Sequence, residues 1–276
     1  SQLTAIHPDG ARHVIHPALG PARVWYCNLP DGRTTFTNGL IQGVTDGLSG
    51  TARSVPAPES LGGADTAFGA LHPGQYRYHL SYVRLADRLE GPAISSAPIV
   101  IPAQGGLRLD GLPERADHAV NVYLSGQDGE GAYLAGTTTG GSFEYTGNNA
   151  ALVLPCRTLG AQPFPMGTIT AFWRGRVLVA QGPTLWASRP AAPHLADWRD
   201  FKPFPARITA VQPVADGVYV GTDEDLVFLA GSSWDELAYM PTKRGPVVLG
   251  SGVEAPGHRI KIGDGTGSAQ AMLCIA

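Results

Sequence analysis

Apolar and polar residues alternate along this chain in short runs punctuated by glycine and proline, and only His194–Asp200 could make a helical turn. The clearest run starts at Tyr76. Tyr76, Tyr78, Leu80 and Tyr82 fall on one side, and Arg77, His79 and Ser81 fall on the other, the period of two that marks a half-buried strand. Further strands are predicted at Ile94–Ile101, Leu107–Leu109, Ala119–Leu124, Ala132–Ala135 and Ser142–Tyr145, separated by turns such as Glu90-Gly91-Pro92 and Asp110-Gly111-Leu112-Pro113. That spacing predicts a β-sandwich over residues 71–147, with Tyr76, Tyr78, Leu80, Val120, Val122 and Leu124 in its core.

On either side the pattern differs. Residues 1–50 hold short strands at Ala11–Ile15, Ala22–Cys27 and Arg33–Thr37, and residues 51–70, small and aperiodic, read as a linker. From Pro155 onward the strands take the form apolar-x-apolar between glycines, at Ile169–Trp173, Arg176–Ala180, Thr184–Ala187, Ile208–Val211, Gly217–Gly221, Leu226–Ala230 and Val247–Gly250. Two stretches echo each other: Ile169-Thr170-Ala171 running to Val177-Leu178-Val179, and Ile208-Thr209-Ala210 running to Val218-Tyr219-Val220. A repeat of roughly 40 residues matches one propeller blade. The fold class expected is therefore all-β, a partial or complete propeller of sheet repeats over 155–276 with an inserted sandwich. Since 155–276 supplies at most about three blades where a closed propeller needs four, residues 22–28 are expected to pair with C-terminal strands. The final apolar strand, Ala271–Ala276, has no polar tail, so either the chain is truncated or something else completes that strand.

Composition narrows the class. Glycine (36) and proline (23) exceed a fifth of the 276 residues, yet 43% are apolar, so the chain is turn-rich and still able to bury a core. A net charge of −3, with no basic patch, argues against direct nucleic-acid binding. No apolar run approaches a membrane span and no signal peptide is visible. Cys27, Cys156 and Cys274 are odd in number and widely spaced, which predicts buried thiols rather than a disulfide framework or zinc site.

The sandwich predicted over residues 71–147 is expected to be fibronectin-III-like. Gly74-Gln75-Tyr76-Arg77-Tyr78 leads to Tyr82-Val83 and Glu90-Gly91-Pro92, and Gly111-Leu112-Pro113 leads to Val122-Tyr123; Leu185-Trp186-Ala187-Ser188 and Asp216-Gly217-Val218-Tyr219-Val220-Gly221-Thr222 follow. In these patterns the chain, from about residue 71 to 250, resembles a class of bacteriophage virion proteins: propeller-type tail hub, nozzle or packaged-DNA-stabilising proteins with an inserted fibronectin-like module. The resemblance implies a structural component of a virion tail or neck, assembled as a ring in the bacterial host cytoplasm, whose partners are other tail proteins and copies of itself. No catalytic residue, cofactor or metal ligand carries over. This chain is shorter than such hubs usually are, which leaves propeller closure open.

Candidate chemistry is sparse. His7, His13 and His16 lack the acidic partner of a helical zinc motif, and Pro8 and Pro17 oppose a helix. Asp128-Gly129-Glu130 and Asp223-Glu224-Asp225 miss calcium-loop spacing and read as solvated hairpin tips. The run Gly263–Ser268 lacks the lysine of a phosphate cradle. Trp25, Trp173 and Trp186 lie in strand patterns and read as packing. Trp198 and Trp234, beside Asp197 and Asp235 in turn-rich segments, are the interface candidates, together with Ala271, Met272, Leu273 and Ile275 of the last strand. The function expected is structural, through protein interfaces. A binding module for a host-surface glycan or receptor is the second reading, and a propeller glycosidase the third.

Overall fold

The computed structural model describes residues 1–255, 261–262, 265–266 and 270–275. The chain divides into two compact units, one made of Ser1–Arg53 with Phe164–Ala276 and the other of Ser54–Pro163. Among the described residues strands dominate, and the one helical element is a 3₁₀ turn at Asn149–Ala151.

The first unit opens with a hairpin of β1 (Leu3–Ile6) and β2 (Arg12–His16). A four-stranded antiparallel sheet follows in simple chain order: β3 (Trp25–Asn28), β4 (Thr34–Thr37), β5 (Gln42–Thr45) and β6 (Gly50–Ala52).

The second unit holds β7 (Gly63–Leu71), β8 (Gly74–Tyr76), β9 (Tyr78–Arg84), β10 (Ile94–Ser95), β11 (Ile99–Ile101), β12 (Gly105–Asp110), β13 (His118–Ser125), β14 (Ala132–Thr138), β15 (Ser142–Tyr145) and the short β16 (Ala161–Pro163). Sheets β10-β9-β13-β14 and β15-β12-β7, with the pair β11-β8, enclose one core, a sandwich-like arrangement. All six core residues expected from the alternation are buried in that cluster. The strand is not half-buried, however, because His79 and Ser81 on its other side are buried too. Residues 154–158 run over that face, with Leu134 N–H donating to Leu154 O, Cys156 N–H to Ala132 O and Ala93 N–H to Thr158 O.

The linker expected over residues 51–70 is corrected here, since nine-residue β7 begins inside it. Its small residues carry no alternation to read, yet smallness is what the strand needs. A Cβ on Gly69 would come within 2.7 Å of Gly105 O and the Gly106 Cα, so a glycine lets the two backbones approach.

The first unit then resumes with β17 (Thr168–Trp173), β18 (Arg176–Gln181), β19 (Thr184–Ala187) and β21 (Phe201–Pro203) as a second four-stranded sheet; β20 (Leu195–Asp197) replaces the helical turn expected in the intervening loop. β22 (Ile208–Val214), β23 (Gly217–Thr222), β24 (Leu226–Ala230) and β25 (Ala238–Pro241) form a third. β26 (Val253–Ala255) pairs with β29 (Ala271–Leu273), and β27 (Lys261–Ile262) with β28 (Gly265–Thr266). The echoed stretches are thus the first hairpins of two consecutive sheets, and each first strand carries a register shift, between Thr168 and Thr170 and between Ile208 and Ala210.

β3 and β22 both lie beside β17, and β26 lies beside β22. Ile169, Trp173, Leu185, Ile208, Val218 and Leu229 belong to the core shared by the second and third sheets. Leu29 and Val44 join Val177 and Phe172 between the first and second. The expected pairing of residues 22–28 with C-terminal strands is corrected in its mode. The ladder partner of β3 is β4, reached through a short local turn, which costs far less chain entropy than a distant ladder. β3 meets the C-terminal strands through side chains instead, with Trp25 packing on the core of the second and third sheets. Gly250 accommodates that indole: at φ +72° it stands where a Cβ would lie 2.5 Å from the Trp25 ring.

Candidate functional site

The residues singled out from sequence separate into two groups. Trp198 is 62% exposed, with the Arg199 guanidinium carbon 4.4 Å from its ring centroid. Trp234 departs from expectation: it is only 5% exposed and packs with Leu237 in the core, Lys202 Nζ standing 5.1 Å from its ring. The turn-rich segment around it hid an inward-pointing aromatic, because a loop that folds back on a sheet buries its apolar side chains without any period.

At the C-terminal edge the strand β29 is split by its pleat. Met272 packs inward with Cys274 against Ala210, Leu226 and Val247, and Ala271 is partly covered. Leu273 and Ile275 face solvent, as do Val253, the cross-strand neighbour of Leu273, and Val248, whose N–H donates to Ile275 O at 2.9 Å. Four large apolar side chains therefore gather around one short two-stranded sheet. On the outer edge of the third sheet, β25 is exposed throughout, presenting Tyr239 and Met240. A separate cleft of about 230 Å3 lies among Leu29, Pro30, Phe172, Gly175, Ala191 and Pro193, and it is predominantly apolar.

Two polar clusters were not legible in sequence. In the second unit, the Glu90 carboxylate accepts from Ser81 Oγ and Tyr123 OH at 2.5 Å each and from Asn121 Nδ2 at 3.2 Å. These residues come from three segments and share only the outer face of one sheet, a register no local motif announces. Burial and the bond to Glu90 hold the Tyr123 phenol well above the ordinary tyrosine range, and burial raises the nearby Cys156 thiol. Tyr123 and Cys156 therefore keep their protons near neutral pH, and the hydrogen bonds to Glu90 make a fixed layer on that face. In the first unit, Arg53 is fully buried beside Cys27, whose thiol burial pushes up to about 11.

The remaining sequence candidates do structural work. His7 and His13 stack edge to face at 4.9 Å, and His7 Nε2 meets Gly47 O at 3.0 Å. His16 Nδ1 accepts from the Ala18 N–H. Asp128 Oδ1 accepts from the Gln75 N–H, and Asp225 Oδ1 from the N–H groups of Leu226 and Arg244. Of the run Gly263–Ser268, only Gly265 and Thr266 are described, in β28, and the rest of that reading lies outside the described residues. Among the described residues no three His, Cys, Asp or Glu side chains converge as a metal site would require.

No known family model matches this chain, and no curated protein matches its sequence.

Proposed function

We propose that this protein is a structural component of a bacteriophage virion, a hub- or nozzle-like ring protein of the tail or neck that works through protein interfaces. In this reading the three up-and-down sheets are propeller blades ranked by their first strands, β26–β29 begins a further blade, and residues 54–163 are a fibronectin-III-like module inserted after the first blade. The sequence resemblance over residues 71–250 supplies the class. The observation that carries the interface role is the apolar group Val248, Val253, Leu273 and Ile275, exposed around a sheet that has two strands among the described residues. Clustered exposed hydrophobes of this kind mark association surfaces, and a two-stranded sheet offers open edges for another chain to extend. The partners are copies of this chain and neighbouring tail proteins.

Native mass measurement across a concentration series tests the reading. A discrete ring-sized oligomer that Leu273→Glu with Ile275→Glu disperses is the expected result. A strict monomer, unchanged by those substitutions, overturns it.

The exposed Trp198 ring favours one second reading, a host-surface glycan module, since a bare indole beside a guanidinium can stack on a sugar. Glycan binding by the monomer that Trp198→Ala abolishes would put that reading first.

A further inference from the structure

One face of the first sheet carries an unbalanced buried charge. With side chains alternating along each strand, Cys27, Thr35, Thr37 and Gln42 share a face, and the register Gly43 to Ala52 puts Arg53 beside Gln42 just beyond the end of β6. That face turns toward the second sheet. Thr37 Oγ1 donates to Gly167 O at 2.5 Å, and Gln42 Nε2 donates to Phe164 O at 3.0 Å. Arg53 is fully enclosed as well, 1% exposed, its Nε donating to Pro193 O at 2.9 Å and its guanidinium carbon 3.9 Å from the Phe164 ring centroid.

The guanidinium is far from satisfied by these contacts. Its Nη1 and Nη2 have no hydrogen-bond partner, and the same holds for Thr35 Oγ1 and Gln42 Oε1 on the same face. None of the ion pairs among the described residues includes Arg53. Burial lowers Arg53 only to about 9, so it stays a cation at neutral pH. The titratable neighbour, Cys27, keeps its proton well past that pH and supplies no counter-charge. A buried cation without a counter-charge is among the least favourable arrangements in a protein interior. Four orphaned N–H bonds in a rigid planar fork make the specific deficit here an anion acceptor.

We propose that Arg53 is the recognition element of a buried site for one small monovalent anion of the halide class, held by Nη1 and Nη2 with the Thr35 hydroxyl as a further donor. Gln42 Oε1, an acceptor, takes a water of the same site. Bound there, the anion neutralises the guanidinium and ties the first sheet to the second, so occupancy is read as stability.

The test compares thermal unfolding of the intact protein in sodium gluconate and in sodium bromide at equal ionic strength. The wild type is expected to unfold roughly 2–4 °C higher in bromide, and Arg53→Met is expected to lose that difference whatever its own midpoint. If Arg53→Met does not fold, crystals of the wild type grown in bromide decide: an anomalous peak within hydrogen-bond distance of Arg53 Nη supports the site. Equal wild-type midpoints in the two salts overturn the proposal, as does an undiminished bromide gain in a folded Arg53→Met. Density showing only water on both Nη atoms overturns it too.

Discussion

The indole Nε1 of Trp173 donates to the backbone carbonyl of Val214 at 3.1 Å, joining the last residue of β17 to the last residue of β22. Each stands immediately before the two-residue turn of its hairpin, so the bond links equivalent points of two repeated sheets. Arg174 in the first turn reinforces it, its Nη2 donating to Ala215 O in the second.

Trp173→Phe keeps most of the buried ring and removes the donor, leaving the Val214 carbonyl unpaired. It is expected to cost about 1–3 kcal/mol, and Trp173→Ala about 3–5 kcal/mol. Urea unfolding of the two variants checks the order. A Phe variant as stable as the wild type would mean that the bond between the sheets contributes nothing.

Leu80 and Val122 are cross-strand neighbours in the centre of β9 and β13, both fully buried. Leu80→Ala is expected to destabilise the second unit by about 2–5 kcal/mol and Val122→Ala by somewhat less. Hydrogen exchange on β9 and β13 amides reads the loss in that unit directly, and unchanged protection in both variants would contradict the register.

Arg176 Nη1 reaches Asp200 at 2.5 Å and Ser188 O at 2.8 Å, with both charged side chains largely buried. The pair fastens β18 to the segment leading into β21, beyond the reach of the local ladder. Asp200→Asn leaves the guanidinium short of its counter-charge and is expected to cost about 1–3 kcal/mol. A double-mutant cycle with Arg176→Met that returned no coupling energy would show the pair to be energetically silent.

His79 Nδ1 meets Ser95 Oγ at 2.8 Å while Nε2 is buried without a partner. Burial first, then the Arg77 charge, holds the ring below the ordinary histidine value of 6.5, with Glu130 pulling the other way. The fold therefore keeps His79 neutral, and below 6.5 the unfolded chain binds the proton that the native state refuses. The stability contributed by a neutral His79 is present above 6.5 and is lost as pH falls toward the lower native value. Unfolding midpoints measured from pH 7.5 downward are expected to fall more steeply for the wild type than for His79→Gln, and parallel curves would contradict this.

Cys27 is buried, and desolvation pushes its thiol from 9.0 up to about 11, the Arg53 charge opposing this only in part. Since the thiolate is the reacting form, native Cys27 is expected to resist iodoacetamide through pH 9 and to react once the chain is unfolded in guanidinium. Peptide mapping distinguishes it from Cys156 and Cys274. Rapid labelling of native Cys27 at pH 8 would mean that the site between the first two sheets is open to solvent.

The chain announced its strands wherever a local period or a local turn produced them. Tyr76 to Tyr82 and Val120 to Leu124 reached the core as their alternation required, and the echo at Ile169 and Ile208 marked the first hairpins of two consecutive sheets. Those signals survive in sequence because side-chain direction in a strand depends only on its nearest neighbours. Where small residues replaced the pattern, as in Gly63–Leu71, the strand was invisible, since its pairing is set by how closely a backbone can approach rather than by what is apolar. Leu273 and Ile275 could be named as interface candidates from their apolar run, but only the pairing of β29 with β26 decided that they face outward while Met272 turns in. Trp234 was sent inward by a loop without period. The Glu90 cluster and the Arg53 fork were written nowhere along the chain. Each gathers residues from segments far apart in sequence, and what makes them chemically unusual is the exclusion of water, which no residue has until the sheets close over it.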